Sequence, residues 1–149
     1  MTWHQRHLRS SLFVLVLFVA WGLTLGLVFK PGMPSLETLV FQVTMPGIVE
    51  ELAYRGVAPA LLLGLIRGRE AGSGIPWAVV WITAIMFGLW HGLGYSQAGF
   101  SFDLMSALFP VICNLVGGWL RFNSGSLLFP VLGHCLANLA FHLTAYLGA

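Results

Sequence analysis

Three short stretches of this chain carry side chains that could do chemistry together. Glu50-Glu51-Leu52-Ala53-Tyr54-Arg55 puts two carboxylates and a guanidinium close together in sequence. Phe87-Gly88-Leu89-Trp90-His91 carries an imidazole with an aromatic ring one helical turn before it. His134-Cys135-Leu136-Ala137-Asn138 pairs an imidazole with an amide at the same spacing. Residues four apart on a helix share a face, so Glu51 can meet Arg55, Phe87 can wall the pocket of His91, and His134 can work with Asn138. An acid preceding a base by one turn is also the favourable order for an ion pair. Glu50 is rotated about 100° from its neighbour, out of line with Arg55 and free to face a cavity. A carboxylate that can take a proton from water, beside donors for an oxyanion, makes a hydrolytic set.

These groups lie in surroundings that make them expensive. Of 149 residues, 58% are hydrophobic and only 8% charged, with mean hydropathy +0.86. Soluble domains carry about 25% charged residues, so the chain reads as an integral membrane protein whose first partner is the lipid bilayer. A charge at the centre of a spanning helix costs about 2.5–3.5 kcal/mol on insertion scales and normally faces protein or a cavity. A structural ion pair accounts for Glu51 and Arg55 but leaves Glu50 unexplained. The net charge of +2 is small and scattered, which excludes a nucleic-acid partner. Cys113 and Cys135 have no CxxC pairing and read as packing residues, as do His4, His7 and His142.

The elements that must hold the three stretches follow from the apolar runs. The expected fold is an all-α bundle of about five transmembrane helices over 12–29, 35–65, 76–93, 102–120 and 126–147. Ser35 is a suitable N-cap, with Glu37 near the positive end of the helix dipole. The second run would extend roughly 45 Å as one helix, so a kink or break is expected at Pro46-Gly47 or at Gly56 and Pro59. Polar loops are expected over 67–74 and 94–101, with a turn at 121–125. The chain forms one membrane domain, 1–149, with the helix over 12–29 peripheral to a motif-bearing core over 36–147. The N-terminal apolar run is too long for a signal-peptide h-region and reads as a retained helix. Arg6, Arg9, Arg67, Arg69 and Arg121 fall on one side of a five-span arrangement and Lys30 on the other, which puts the N-terminus in the cytoplasm. Counting 1.5 Å per residue, His91 lies roughly 22 Å into its helix and His134 about 12 Å into its own. Their meeting requires the third helix to begin nearer Val80 or the helices to tilt, with Trp77 and Trp81 as interface markers.

In that order and spacing, EELAYRG, FGLWH and HCLAN resemble the EExxxR, FxxxH and HxxxN motifs of the CAAX-protease and bacteriocin-processing (Abi) family, membrane-embedded glutamate-type endopeptidases. The resemblance covers about 43–138, and the Gly117-Gly118 pair and Ser124-Gly125-Ser126 turn are also similar. It implies that Glu50 is the general base that polarises water with His91. Glu51 and Arg55 would pair to fix the helix, and His134 and Asn138 would bind the oxyanion. No cofactor is expected: the HExxH spacing that puts two zinc ligands on one helix is absent, though Glu and His are the side chains that would take a metal were one used. The substrate would be a membrane-anchored protein or peptide, and the location a bacterial inner membrane crossed several times. The short chain is similar to compact bacterial members that process C-terminal sorting segments of surface proteins, which argues against prenylated CAAX substrates.

Rival readings fit the residues less well. An aspartyl intramembrane protease needs two aspartates within the membrane, and the only one here, Asp103, is near a loop. A rhomboid-like pair needs Ser and His on different helices, whereas Ser124 precedes His134 on or beside one. A transporter or proton relay would spread polar groups through the membrane depth. The main alternative is a non-enzymatic membrane peptide-binding or immunity protein using the same cavity; binding alone needs no base.

Overall fold

A computed structural model describes residues 3–66 and 74–147, and the expected polar loop over 67–74, including Arg67 and Arg69, lies almost wholly outside the described residues. Helix α1 runs Trp3–Phe29 and gives way to a turn in which Lys30 takes a positive φ of 49° ahead of Pro31 and Pro34. Helix α2, Leu36–Glu51, starts where Ser35 Oγ accepts the Thr38 amide at 3.1 Å. The helix continues through Pro46, and the chain stays helical over 36–66 without the expected break; only its geometry changes, with Leu52–Val57 a π-helical stretch followed directly by α3, Ala58–Ile66. Proline at position 59 clashes with the carbonyl one turn back in a regular helix, and a π bulge just before it relieves that clash.

Helix α4 covers Trp77–Gly92. The expected loop after it is instead an antiparallel hairpin, β1 Leu93–Ser96 and β2 Gly99–Phe102, with Ser96 opposite Gly99 and φ at Gly99 of 104°. Tyr95 and Phe100 face each other across it with ring centroids 4.9 Å apart, so the alternating aromatic pattern was compatible with strands. Helix α5 covers Leu104–Ser124, capped by Asp103 at the start and by left-handed Gly125 at the end, so 121–124, expected as part of a turn, are its last residues and the chain turns only at Gly125. Helix α6 covers Leu128–Leu143 and finishes in a 3₁₀ turn, Thr144–Tyr146. Three helices are long and apolar enough to cross a membrane, His7–Phe29, Leu104–Ser124 and Leu128–Tyr146, and the apolar Trp77–Gly92 is shorter. The protein is a helical membrane protein.

Packing is built on close backbone approach. Helix α1 lies along α6, where a Cβ at Gly22 would fall 2.1 Å from the carbonyl oxygen of Ala137, and one at Gly26 would strike Thr144. Helix α4 lies along α5, where Gly88 and Gly92 meet Ala107. Both pairs of glycines are four apart, the small-residue spacing that lets membrane helices touch when lipid removes the hydrophobic drive. The first helix is therefore not peripheral: Val14 and Phe18 form a buried cluster with Leu120 of α5. Most other large apolar side chains point outward, as expected for a bundle in lipid.

Candidate active site

Glu50 and Glu51 are the last two residues of α2, and Arg55 sits in the π-helical stretch that follows. Glu51 and Arg55 are almost fully buried, 1% and 3% exposed. One carboxylate oxygen of Glu51, Oε2, lies 2.9 Å from Arg55 Nε. The other, Oε1, accepts a hydrogen bond from His134 Nδ1 at 2.8 Å. Phe87 stacks under the guanidinium at 5.0 Å, and the Tyr54 ring packs edge-on against Phe87 at 4.9 Å. On the far side, Gly117 leaves room for the guanidinium, since a Cβ there would come within 2.9 Å of an Arg55 nitrogen. The Gly117-Gly118 pair thus has a steric reason: the first residue admits Arg55 and the second admits Val80.

Glu50 is less confined, with a quarter of its side chain exposed (25%). Its Oε2 lies 3.9 Å from His91 Nε2 and also 3.9 Å from His134 Nε2. These separations are too long for direct hydrogen bonds but leave room for a water molecule donating to Glu50 and to one imidazole nitrogen. Each imidazole is oriented from behind. His91 Nδ1 is 2.9 Å from the Phe87 carbonyl, which can only accept, so that nitrogen carries a proton. His134 Nδ1 donates to Glu51 in the same way. In their neutral forms both rings therefore turn an unprotonated Nε2 toward Glu50. Phe87 also packs on the His91 ring at 4.3 Å.

Asn138 is placed by a proline. Pro46 has no amide proton for the carbonyl of Gln42 one turn earlier, and Asn138 Nδ2 donates to that carbonyl at 2.8 Å. The amide thus ties α6 to α2 where α2 lacks its own hydrogen bond. Cys135, read as a packing residue, lies against Gly47.

A cavity of about 270 Å³ adjoins these groups, with Glu51, Arg55, Phe87, His91, His134 and Asn138 in its wall. Glu50 is not part of that wall and approaches it through the two histidine Nε2 atoms. His91 and His134 approach the same Glu50 oxygen although α4 begins at Trp77 and not near Val80. Among the described residues, no group of three or more His, Cys, Asp and Glu side chains is arranged to hold a metal ion.

Several features went unseen in the sequence. The apolar wall of the cavity comes largely from Phe18 and Trp21 of α1, Phe109 of α5 and Phe141 of α6. The Gly22–Gly26 and Gly88–Gly92 spacings were the available signals for which helices would touch. Glu51 bridging Arg55 to His134 had no local signal, because His134 is 83 residues away.

A family model described as type II CAAX prenyl endopeptidase, Rce1-like, matches residues 31–140. No curated protein and no solved structure matches the chain. The match takes in the second helix through Asn138 and covers well over half of the chain, so this membrane protein belongs to the Rce1-like family of type II CAAX prenyl endopeptidases, a family of proteases.

Proposed function

We propose that the chain is a glutamate-type intramembrane endopeptidase that hydrolyses a peptide bond in a membrane-anchored protein or peptide. In this reading it crosses a bacterial inner membrane about five times with its N-terminus in the cytoplasm, the continuous helical run over 36–66 and the short α4 included. Arg9 and Arg121, near opposite ends of their helices in sequence, share one side in that topology. The observation that carries the proposal is the position of the Glu50 carboxylate, equidistant from two imidazole nitrogens whose rings are each fixed from behind.

The chemistry follows from that arrangement. A water held between Glu50 Oε2 and His91 Nε2 gives its proton to the carboxylate while its oxygen attacks the carbonyl carbon of the peptide. The electron pair of the C=O bond moves to oxygen. His134 in its imidazolium form, stabilised by Glu51 at Nδ1, donates from Nε2 to that oxyanion, and the second amide hydrogen of Asn138 adds to it. With His134 protonated, two carboxylates face one guanidinium and one imidazolium, so the buried charges balance. When the tetrahedral intermediate collapses, the C–N bond breaks and Glu50 returns the proton to the leaving amine. No metal enters these steps.

The decisive experiment compares Glu50→Gln with the parent on a membrane-anchored peptide in liposomes. Glutamine keeps shape and polarity but cannot take the proton. Cleavage should fall about 10²–10⁴-fold, the range for a general base, with binding retained. Unchanged cleavage overturns the mechanism, and binding with no cleavage by the parent favours the peptide-binding alternative. Chelators should leave the rate unchanged; inhibition reversed by zinc would replace Glu50-activated water with a metal-bound one.

A further inference from the structure

The candidate site has an apolar side whose position is informative. Helix α1 is bound to α6, and α5 to α4, through close glycine contacts. The seam between α1 and α5 joins these two pairs and is more lightly built. At one end it is clasped by Asn123, which accepts from His7 at 3.0 Å and donates to Ser10 at 3.0 Å. Toward the other end the Phe109 ring stands edge-on to both Trp21 and Phe29, each with centroids 5.9 Å apart.

Cavities follow this seam. One of about 360 Å³ lies between Leu17, Ala20 and Thr24 of α1 and Ile112 of α5, all exposed on the outside of the bundle. It shares Phe18, Trp21 and Cys113 with the site cavity. A second, of about 560 Å³, lies beyond Phe109 near Asp103 and shares His91, Phe109 and Pro110 with the site cavity. The site is therefore flanked on two sides by space along one helix–helix boundary, and one of these spaces faces lipid.

We propose that the α1–α5 seam is the lateral opening through which the apolar, membrane-embedded segment of a peptide substrate reaches the Glu50–His91 pair, an inference that rests on the proposed endopeptidase reading. The segment binds extended. A helix is about 10 Å wide, too wide for a cavity of about 270 Å³, and a helical peptide bond is not open to attack. The occupant is a peptide in preference to a lipid chain because the cavity ends on polar groups, His91, His134 and Asn138. Backbone amides satisfy those groups, and hydrocarbon leaves them unpaired.

The test uses the full chain in nanodiscs. The probe is a fluorescent peptide with an apolar segment of about ten residues, long enough when extended to cross the bilayer core, and a charged tail. In a Glu50→Gln background, a photoreactive benzophenone residue replaces Ala20 in the seam or, in a separate protein, exposed Val40 on α2. Irradiation should give a peptide adduct from position 20 that excess unlabelled peptide suppresses, with little adduct from position 40. Equal labelling at both positions, or a position-20 adduct with lipid alone, overturns the proposal. In the active protein, Ala20→Trp should lower kcat/KM for the anchored peptide about tenfold, with a short soluble peptide containing the same bond changed less than about twofold. Equal loss on both substrates, or on neither, also overturns it. If the parent cleaves neither peptide, the hydrolytic reading fails, and the adduct still decides whether the seam admits the segment.

Discussion

The two halves of the candidate site differ although Glu50 and Glu51 are adjacent in sequence. Both carboxylate oxygens of Glu51 have a close partner, Arg55 on one and His134 on the other, with Phe87 beneath the guanidinium and Gly117 behind it. Around Glu50 the nearest cationic or imidazole nitrogens stand 3.9 Å away, and a quarter of the side chain is open. One carboxylate is held by direct contacts and almost fully buried, the other is left at water-bridging distance. A buried carboxylate held in an ion pair is a poor reactant, because moving a proton onto it strands its cationic partner. A carboxylate with space for water can change protonation at low cost to the fold. The fixed half orients His134, and the open half is where a proton can move.

This contrast predicts opposite outcomes for substitutions one residue apart. Arg55→Ala has the largest expected effect, since it strands the buried Glu51 carboxylate: about 3–5 kcal/mol of stability should be lost, with activity, as read by thermal melting and cleavage in detergent. Wild-type melting of that variant would show the fixed half to be dispensable. Glu50→Gln should do the reverse, removing cleavage and leaving the melting temperature near that of the parent; a large drop in stability would erase the distinction between the halves.

Two smaller substitutions sharpen the comparison. Gly117→Ala inserts a Cβ within 2.9 Å of the guanidinium, and overpacking of this kind costs about 1–3 kcal/mol. It should disturb the fixed half alone, lowering stability and displacing His134 through Glu51, visible as a shifted imidazole resonance in NMR; an unchanged resonance would disconnect Gly117 from the site. Asn138→Ala frees the Gln42 carbonyl that Pro46 cannot satisfy, so it should lower stability by about 1–2 kcal/mol as well as slowing cleavage. Pairing it with Pro46→Ala, which restores the helical donor, should recover stability and not rate. Recovery of both would make Asn138 a purely structural residue.

The smallest effect lies outside the membrane. Hydrogen bonds from Ser106 hold the Asp103 carboxyl below the ordinary carboxylate range. A depressed folded value means the cap contributes fully above the ordinary carboxylate pKa of about 3.9, and its contribution falls as pH drops through the lower folded value. Asp103→Ala should therefore lower the melting temperature slightly at neutral pH, and the difference from the parent should shrink below about pH 4. A pH-independent difference would assign the effect to something other than the ionised cap.

Much of the architecture follows from local sequence. Apolar runs marked the helices, Ser35 marked a boundary, and the one-turn spacing of Glu51 and Arg55 fixed their pairing, because these depend on contacts within a few residues; the end of α5 at Ser124, four residues beyond the expected 120, was not marked. The same locality concealed the rest. The 94–101 stretch became a hairpin because pairing of its two arms decided between loop and strand. Helix α1 became part of the cavity because Gly22 and Gly26 allow α6 to approach, which hydropathy does not register. The second contact of Glu51, with His134, joins residues 83 positions apart. The approach of His91 and His134 to one Glu50 oxygen is set by packing between helices and not by the length of either one.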